Sequence, residues 1–155
     1  MKNYNLSMLA VTEARWTDCG KQRVTSGETI MWSGRKDGIH QEGVALIVKK
    51  EQSNTLLNWK PISERLLYAQ FNSKYAKLSI IVAYAPTEEV EEEVKDRFYN
   101  SLQKAMDDIP KHDVLLLAGD MNARVGADNT NHERVRGTHG EGVMNGNGER
   151  FVSLC

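Results

Sequence analysis

Residues 78–84 read LSIIVAY, residues 88–109 read EEVEEEVKDRFYNSLQKAMDDI and residues 113–118 read DVLLLA, and this succession decides the fold. In the middle segment apolar side chains recur every three or four residues, which predicts an amphipathic helix with Thr87 as its N-cap. The third segment is apolar without alternation, which predicts a strand covered on both faces. A strand, a helix and a second strand imply a crossover connection, so we predict a mixed sheet and an α/β fold.

The first half of the chain predicts β-strands, because short apolar runs there are bounded by turn residues. Residues 66–71 and 78–84 flank a polar turn, a spacing that predicts an antiparallel hairpin. Pro61 has no backbone N–H, so we expect ladder pairing to end there. The polar, glycine-rich residues 126–148 predict a loop that leads into a last helix near 149–152. The other strand candidates are 5–12, 28–32, 43–48 and 55–59.

The composition is that of one globular domain with a sizeable core: 155 residues, 40% hydrophobic and 26% charged. A net charge of −1 argues against a uniformly basic protein that coats phosphates, although residues 1–87 carry 12 basic and 7 acidic side chains and residues 88–155 carry 8 and 14. No apolar run is long enough to span a bilayer and the N-terminus has no secretory signal, so we expect an intracellular protein with no membrane partner. Cys19 and Cys155 are then expected to be reduced thiols.

Three predicted strands end in polar residues that packing does not require. Glu13 follows the first, Tyr84 ends the strand before the helix, and Asp120 and Asn122 follow the last. Ligands of open α/β sheets collect at the carboxyl ends of strands, so this placement predicts a site. Residues two apart in an extended segment share a face, which would turn Asp120 and Asn122 into one cleft and Met121 into the core.

Each of these residues also has an ordinary explanation: a solvated Glu, a half-buried Tyr, and an Asx-turn at Asp-x-Asn. Taken together they favour hydrolysis of a phosphodiester assisted by a divalent metal. The carboxylate of Glu13 is a hard oxygen ligand of the kind that Mg²⁺ accepts. Asp120 would position or deprotonate the attacking water, Asn122 would hold that water or a phosphate oxygen, and Tyr84 would donate a hydrogen bond to the developing charge. Gly119 would let the backbone approach a ligand closely.

At these residues the sequence resembles the endonuclease/exonuclease/phosphatase superfamily, the group of deoxyribonuclease I and the apurinic endonucleases. Within it, the likeness is to endonuclease domains of non-LTR retrotransposons and to craniofacial development protein 2-like proteins. The segments that carry the resemblance occur in the family's order and span nearly the whole chain. They are residues 9–16, 43–47, 63–66, 82–87, 116–123 and 145–148.

The resemblance implies an α/β sandwich of the deoxyribonuclease I-like type, an endonuclease that acts on DNA, and a nuclear location. By it, Glu13 matches the residue that binds Mg²⁺ or Mn²⁺, Tyr84 the residue that contacts phosphate, and Asp120 and Asn122 the pair that handles the nucleophilic water. Arg65 falls in a family segment whose role is structural or phosphate-steering. No small-molecule cofactor is implied.

The sequence also departs from the family's pattern, which places a metal-site Asn before the Glu strand and an Asp and an Asp-His pair in terminal strands. Residues 1–155 show no counterpart of these, so we expect a single partial domain, truncated at both ends, with impaired activity. The alternatives are an inactive remnant that binds nucleic acid or protein, and a phosphoinositide or sphingomyelin substrate. None of the histidines follows an Asp in a strand, and we expect surface or loop positions for all four: His40, His112, His132 and His139.

Overall fold

The structure, a computed structural model, describes residues 1–127 and 140–155. His132, His139 and most of the predicted glycine-rich loop lie outside the described residues. The chain divides into two compact units. Unit 1 comprises Met1–Tyr84 and Lys104–Gly119, and unit 2 comprises Ala85–Gln103 and Asp120–Cys155.

The helices and strands of the described residues follow the order expected of an α/β chain. They are a 3₁₀ helix (Lys2–Tyr4), β1 (Met8–Thr12), β2 (Cys19–Arg23), β3 (Thr29–Ser33), β4 (Val44–Val48), α1 (Lys50–Ser53), β5 (Leu56–Ser63), β6 (Leu66–Phe71), β7 (Leu78–Tyr84), α2 (Glu92–Asp107), β8 (Val114–Asp120) and α3 (Gly146–Leu154). None of these helices is long and apolar enough to cross a membrane. Cys19 and Cys155 are both free and exposed.

Unit 1 contains two four-stranded sheets with the strand orders β1-β4-β3-β2 and β5-β6-β7-β8. The first sheet is antiparallel throughout, and β6 and β7 form the predicted hairpin, in register from Leu66 opposite Ala83 to Phe71 opposite Leu78. Backbone bonds from Val114 N to Lys77 O and from Ala85 N to Asp120 O make β8 parallel to β7. The second sheet is therefore mixed, and the α/β class predicted from the strand-helix-strand succession is confirmed.

The core of unit 1 lies between the facing sides of these two sheets. Met31 and Leu46 of the first sheet and Phe71 and Val82 of the second are at most 1% exposed, and they belong to one apolar cluster. Burying each such side chain stabilises the fold by roughly 1.5–3 kcal/mol. This cluster holds the strand ends that carry the candidate site residues.

Two features of the strands differ from the sequence predictions. β2 escapes detection because its sequence, CGKQR, has no apolar alternation; four of its five residues are exposed at the end of the first sheet. β5 continues through Pro61, which lies opposite Leu67, so the expected break there is wrong. β5 ends the second sheet and shifts register after Pro61, and an edge position of this kind tolerates the missing N–H.

The prediction that β8 is covered on both faces is also wrong. Val114, Leu115 and Leu116 are 55%, 36% and 49% exposed. Among the described residues β8 is the last strand of its sheet and pairs only with β7. An uncharged apolar run predicts a strand but does not show what packs against that strand. In β8 the apolar side chains lie at a sheet edge that is exposed to solvent.

α2 begins at Glu92 instead of Glu88, so Thr87 is not its N-cap. The Thr87 carbonyl accepts a bond from Val90 N and forms a turn, and the Glu88 carbonyl accepts a bond from Lys95 Nζ (3.1 Å). The Glu88 carboxylate accepts hydrogen bonds from the N–H groups of Gly146 and Asn147. These contacts hold Glu88 in the turn that precedes α2.

The exposed edge of β8 leads us to expect self-association of the wild-type chain, and we expect Leu116→Lys to reduce it. Size-exclusion chromatography with light scattering, over a range of protein concentrations, measures the change. Val143→Lys is the matched control, because Val143 is 84% exposed but lies outside every strand. A wild-type chain that stays monomeric at all concentrations would contradict this expectation.

Asp113 anchors the start of β8, because its Oδ2 accepts bonds from Gln70 Nε2 (2.5 Å) and Ser79 Oγ (2.7 Å). The bond from Gln70, followed by that from Ser79, lowers the pKa of this carboxyl. A lowered folded-state pKa stabilises the protein above the unfolded value of about 3.9 and loses that effect as the pH falls through the folded value. We therefore expect Asp113→Ala to lower the urea midpoint more at pH 7 than at pH 3. The exposed Asp108→Ala is the control, and an equal loss at both pH values would contradict the account.

Candidate active site

Glu13 and Tyr84 meet in unit 1 although 71 positions separate them in the chain. The Tyr84 hydroxyl donates a hydrogen bond to Glu13 Oε1 (3.0 Å). Tyr84 ends β7 and is only 8% exposed, whereas the Glu13 side chain, directly after β1, is 54% exposed. The buried phenol of Tyr84 thus orients the solvent-accessible carboxylate of Glu13.

Arg65 supports this pair from the protein side. Its guanidinium lies over the Tyr84 ring, 5.1 Å from the centroid, and Nη1 donates to the Tyr84 carbonyl (3.3 Å). Nη2 donates to Glu42 Oε1 (2.7 Å), and the side chain is only 14% exposed. Of the two roles that the sequence leaves open for Arg65, this geometry fits the structural one. Glu42 is a contributor that the sequence reasoning missed, although it precedes the family segment at Gly43.

The backbone around Glu13 is held in an unfavourable conformation. Glu13, Arg15 and Asp18 have φ values of 51°, 56° and 56°, in the left-handed region that non-glycine residues rarely adopt. Bonds from Ala14 N to Gly43 O (3.0 Å) and from Arg15 N to Glu42 O (2.8 Å) hold the loop in place. Such strain persists only where the surrounding structure enforces it, and it concentrates at functional sites.

The surroundings of Glu13 fit a hydrated divalent cation. Mg²⁺ commonly takes one or two carboxylates and completes its octahedron with water. Glu13 Oε1 is held by Tyr84, and Oε2 lies 3.6 Å from Arg15 Nη2 in an ion pair that water screens. Residues 1–127 and 140–155 contain no group of three or more His, Cys, Asp or Glu side chains suited to a metal. A cation held by Glu13 would take its remaining ligands from water.

In unit 2, Asp120 and Asn122 line the same cleft, of about 390 Å³. The expected extended geometry is wrong here: Asn122 has a φ of 46°, and its N–H bonds to Asp120 Oδ1 (2.9 Å) in an Asx-turn. Asn122 Nδ2 donates to the Ala85 carbonyl (2.8 Å), which fixes the orientation of its amide. The remaining lining residues are Thr87, Glu88, Glu89, Ala123, Arg124 and Asn145.

Two asparagines that the sequence reasoning did not single out hold this turn in place. Asn145 Nδ2 donates to the Asn122 carbonyl (3.0 Å), while its Oδ1 caps α3 by accepting Gly148 N and also accepts Arg124 N, both at 2.8 Å. Asn147 is fully buried, and its Nδ2 donates to Pro86 O (2.8 Å) and to Asn122 O (3.4 Å). The only sequence signal for them is their place in the family segment at residues 145–148.

The charge of this cleft favours cations and polarised water. Its lining carries three carboxylates, those of Glu88, Glu89 and Asp120, against one guanidinium, that of Arg124. A bond to its own backbone N–H, and then one from Thr87, lower the pKa of Glu89. A phosphate would therefore enter more favourably with a cation than alone.

Gly119 is not placed to approach a ligand, and the described histidines lie on the surface. Gly119 has a φ of +139°, and a Cβ there would lie 1.9 Å from Ala83 O, so its close approach is to the protein backbone and not to a ligand. His40 is exposed, with Nδ1 2.9 Å from Arg15 O, and the His112 side chain is 76% exposed. Both lie on the surface, as expected.

Comparison with known proteins supports the resemblance seen in the sequence. No protein-family model matches the chain. Craniofacial development protein 2 of Bos taurus and that of Tragulus javanicus are each 32% identical to it over 155 residues, which is all of this chain and 26% of each relative. The chain thus spans about a quarter of these relatives.

Among solved structures, the endonuclease domain of TRAS1, a telomere-specific non-LTR retrotransposon, matches with a TM-score of 0.58. The sequences are 12% identical, and the match covers 99% of this chain and 60% of that one. The structural match confirms the deoxyribonuclease I-like α/β fold, and the sequence matches confirm the likeness to craniofacial development protein 2.

Asn145 accepts two hydrogen bonds through Oδ1 and donates one through Nδ2, and substitutions can separate the contributions of these bonds to stability. We expect Asn145→Ala to lower the free energy of unfolding by about 1–2 kcal/mol, because it removes the cap of α3 and the bonds to Arg124 and Asn122. Asn145→Asp keeps both acceptor bonds and should retain most of the stability. Urea unfolding followed by circular dichroism measures both variants, and an unchanged Asn145→Ala protein would contradict the assignment.

Proposed function

Because the chain is similar over its whole length to craniofacial development protein 2 and has the deoxyribonuclease I-like fold, we propose that it is a divalent-metal-dependent DNA endonuclease domain of retroelement origin. The observation that carries the proposal is the bond between Tyr84 and Glu13. It joins a metal-ligand type of carboxylate to a phenol at the ends of β1 and β7, the places where the sequence resemblance puts both. Nuclear DNA would be the substrate.

In unit 1, Glu13 would be the protein ligand of Mg²⁺ or Mn²⁺. The ion, when bound, supplies polarisation of a phosphoryl oxygen and neutralises developing charge. Tyr84 has two roles that its geometry allows: its hydroxyl orients the Glu13 carboxylate, and it can exchange that bond for one to a phosphate oxygen. Arg65 keeps the phenol in place through its contacts with the ring and the carbonyl.

In unit 2, Asp120 would accept a proton from the water that attacks phosphorus. As the new P–O bond forms, the bond to the leaving sugar oxygen breaks, giving a phosphomonoester and a hydroxyl group. Asn122 would hold the water or a phosphate oxygen, because its bond to Ala85 O uses one N–H and leaves the rest of the amide for the ligand. The assignment of Glu13, Tyr84, Asp120 and Asn122 to one reaction rests on the sequence resemblance.

Turnover is expected to be slow. None of the roles proposed above for Glu13, Tyr84, Asp120 and Asn122 supplies a proton to the leaving oxygen, which would take it from solvent. The lack of a positioned general acid typically costs about 10²- to 10⁴-fold in rate.

A second candidate is a domain that binds nucleic acid without cleaving it. The observation in its favour is that both carboxylate oxygens of Glu13 already have protein partners, Tyr84 at Oε1 (3.0 Å) and Arg15 at Oε2 (3.6 Å). It predicts DNA binding that neither EDTA nor substitution of Asp120 changes.

Nicking of supercoiled plasmid tests the proposed function. We expect Mg²⁺-dependent nicking by the wild-type chain, its loss in EDTA, and at least about 100-fold slower nicking by Asp120→Asn and by Glu13→Gln. Asp108→Asn and Glu51→Gln are matched controls, since both remove an exposed carboxylate elsewhere on the chain.

Equal nicking by wild type and Asp120→Asn would mark a contaminating nuclease and contradict the proposal. DNA binding with no nicking by any variant would favour the non-cleaving alternative.

A further inference from the structure

We infer that an aromatic cleft on the loop that carries Glu13 binds an unpaired nucleobase of the DNA. The choice of DNA as the ligand rests on the proposed function, whereas the choice of a flat heterocycle rests on the cleft itself. Its volume is about 360 Å³, in the range of small-ligand sites. It lies wholly within unit 1 and is lined by Trp16, Thr17, Gln22, Ile30, Trp32 and His40.

Two indoles form the wall of this cleft. The rings of Trp16 and Trp32 meet edge to face, with centroids 5.9 Å apart and planes at 83°. Trp32 is fixed, because its Nε1 donates to Thr17 O (3.3 Å) and its ring lies so close to Gly20 that a Cβ there would be 2.5 Å away. Trp16 is 42% exposed, so part of the residue remains accessible to a ligand.

The loop that presents Trp16 is rigid and strained, which argues against a side chain left in solvent by chance. Trp16 lies between the left-handed residues Arg15 and Asp18. Asp18 N donates to Arg35 O (2.8 Å), and a Cβ on Gly34 would lie 1.7 Å from Trp16 O, so neighbouring backbone encloses the loop on that side. A loop held in this way does not have to become ordered when a ligand binds, which lowers the entropic cost of a contact with its indole.

Polar groups at the cleft suit the edge of a base. The Arg15 carbonyl can only accept, so His40 Nδ1 must donate to it, and a neutral His40 then offers Nε2 as an acceptor. Gln22 brings an amide with both donor and acceptor groups. A base stacked on Trp16 would thus meet hydrogen-bonding partners of both kinds.

The surrounding charges suit the phosphates that flank such a base. The Arg15 side chain, next to Trp16 in the chain, is 69% exposed, and water screens its 3.6 Å ion pair with Glu13. Arg15 is the cation placed to meet such a phosphate, whereas Lys21 and Arg23 alternate with Gln22 along β2 and lie on its other face. Basic side chains interleaved with exposed aromatic rings are the usual surface for single-stranded nucleic acid.

Trp16 and Glu13 lie three positions apart on one loop, so a base bound here would place its own phosphates near the proposed metal ligand. Extruding a paired base costs free energy, and that cost is lowest where the base is unpaired or mismatched. The substrate class that follows is DNA with an unpaired nucleotide next to the cleavage point, and Trp16 would determine that preference.

Fluorescence anisotropy in EDTA tests the inference without cleavage. The probes are four labelled oligonucleotides of equal length: a single strand, a paired duplex, a duplex with one unpaired thymine, and an abasic strand with the same phosphates. We expect the base-bearing single strand and the bulged duplex to bind more tightly than the abasic strand and the paired duplex. Trp16→Ala should weaken the first two about 10- to 100-fold and leave the abasic strand unchanged.

Tyr75→Ala is the matched control, because Tyr75 is an exposed aromatic residue with Lys74 over its ring, outside the cleft. Trp16→Phe and Gln22→Ala, checked by circular dichroism, keep the test valid if Trp16→Ala unfolds. Trp16→Phe should retain most of the affinity, and Gln22→Ala should weaken binding of the duplex with an unpaired thymine and leave that of the abasic strand unchanged.

Equal affinity for base-bearing and abasic strands, or no loss in Trp16→Ala, would overturn the inference, as would binding to none of the four probes. Base-dependent binding without any nicking would support the cleft and remove the endonuclease proposal. Nicking together with equal affinity for base-bearing and abasic strands would support the endonuclease proposal and overturn the inference about the cleft.

Discussion

The hydrogen bond between the Tyr84 hydroxyl and the Glu13 carboxylate is the constraint on which the candidate site of unit 1 depends. Glu13 follows β1 of the first sheet and Tyr84 ends β7 of the second, so the bond joins the two sheets where the strands leave the core. Tyr84 belongs to the buried cluster between the sheets, and Arg65 covers its ring. Any shift of one sheet against the other would therefore move the carboxylate, and the packing of the core fixes where Glu13 presents its oxygens.

The same device recurs on a smaller scale in both units: a polar residue takes a left-handed conformation, and neighbouring backbone or amide groups hold it there. In unit 1, Glu42 and Gly43 accept the bonds that fix the loop of Glu13. In unit 2, Asn145 and Asn147 bond the carbonyl of the left-handed Asn122. Conformations of this kind cost free energy that packing elsewhere must supply, and each one here lies beside a candidate functional group. Packing in the fold therefore offsets the free-energy cost of orienting these polar side chains.

The features that the sequence predicted are those in which local pattern and tertiary structure agree. The β6-β7 hairpin follows from two apolar runs around a polar turn, and the mixed sheet follows from the strand-helix-strand succession. β2 was hidden because its exposed side chains are polar, and α2 was placed too early because Glu88 bonds the N-terminus of α3 instead of the first turn of α2. For the site, strand ends indicated Glu13 and Tyr84, but neither the asparagine network nor the left-handed turn at Asn122 has a local signature. Contacts between residues as distant as Asn122 and Asn147 depend on tertiary structure that no periodicity encodes.

The central claim is that Glu13, oriented by Tyr84, is the metal-binding carboxylate of this protein. An X-ray structure of crystals soaked in Mn²⁺, with anomalous scattering measured near the manganese edge, tests it most directly. The account predicts an anomalous peak within about 2.0–2.3 Å of a Glu13 carboxylate oxygen, with water completing the coordination. Well-ordered density for Glu13 and Tyr84 with no anomalous peak at that carboxylate, at millimolar Mn²⁺, would contradict it.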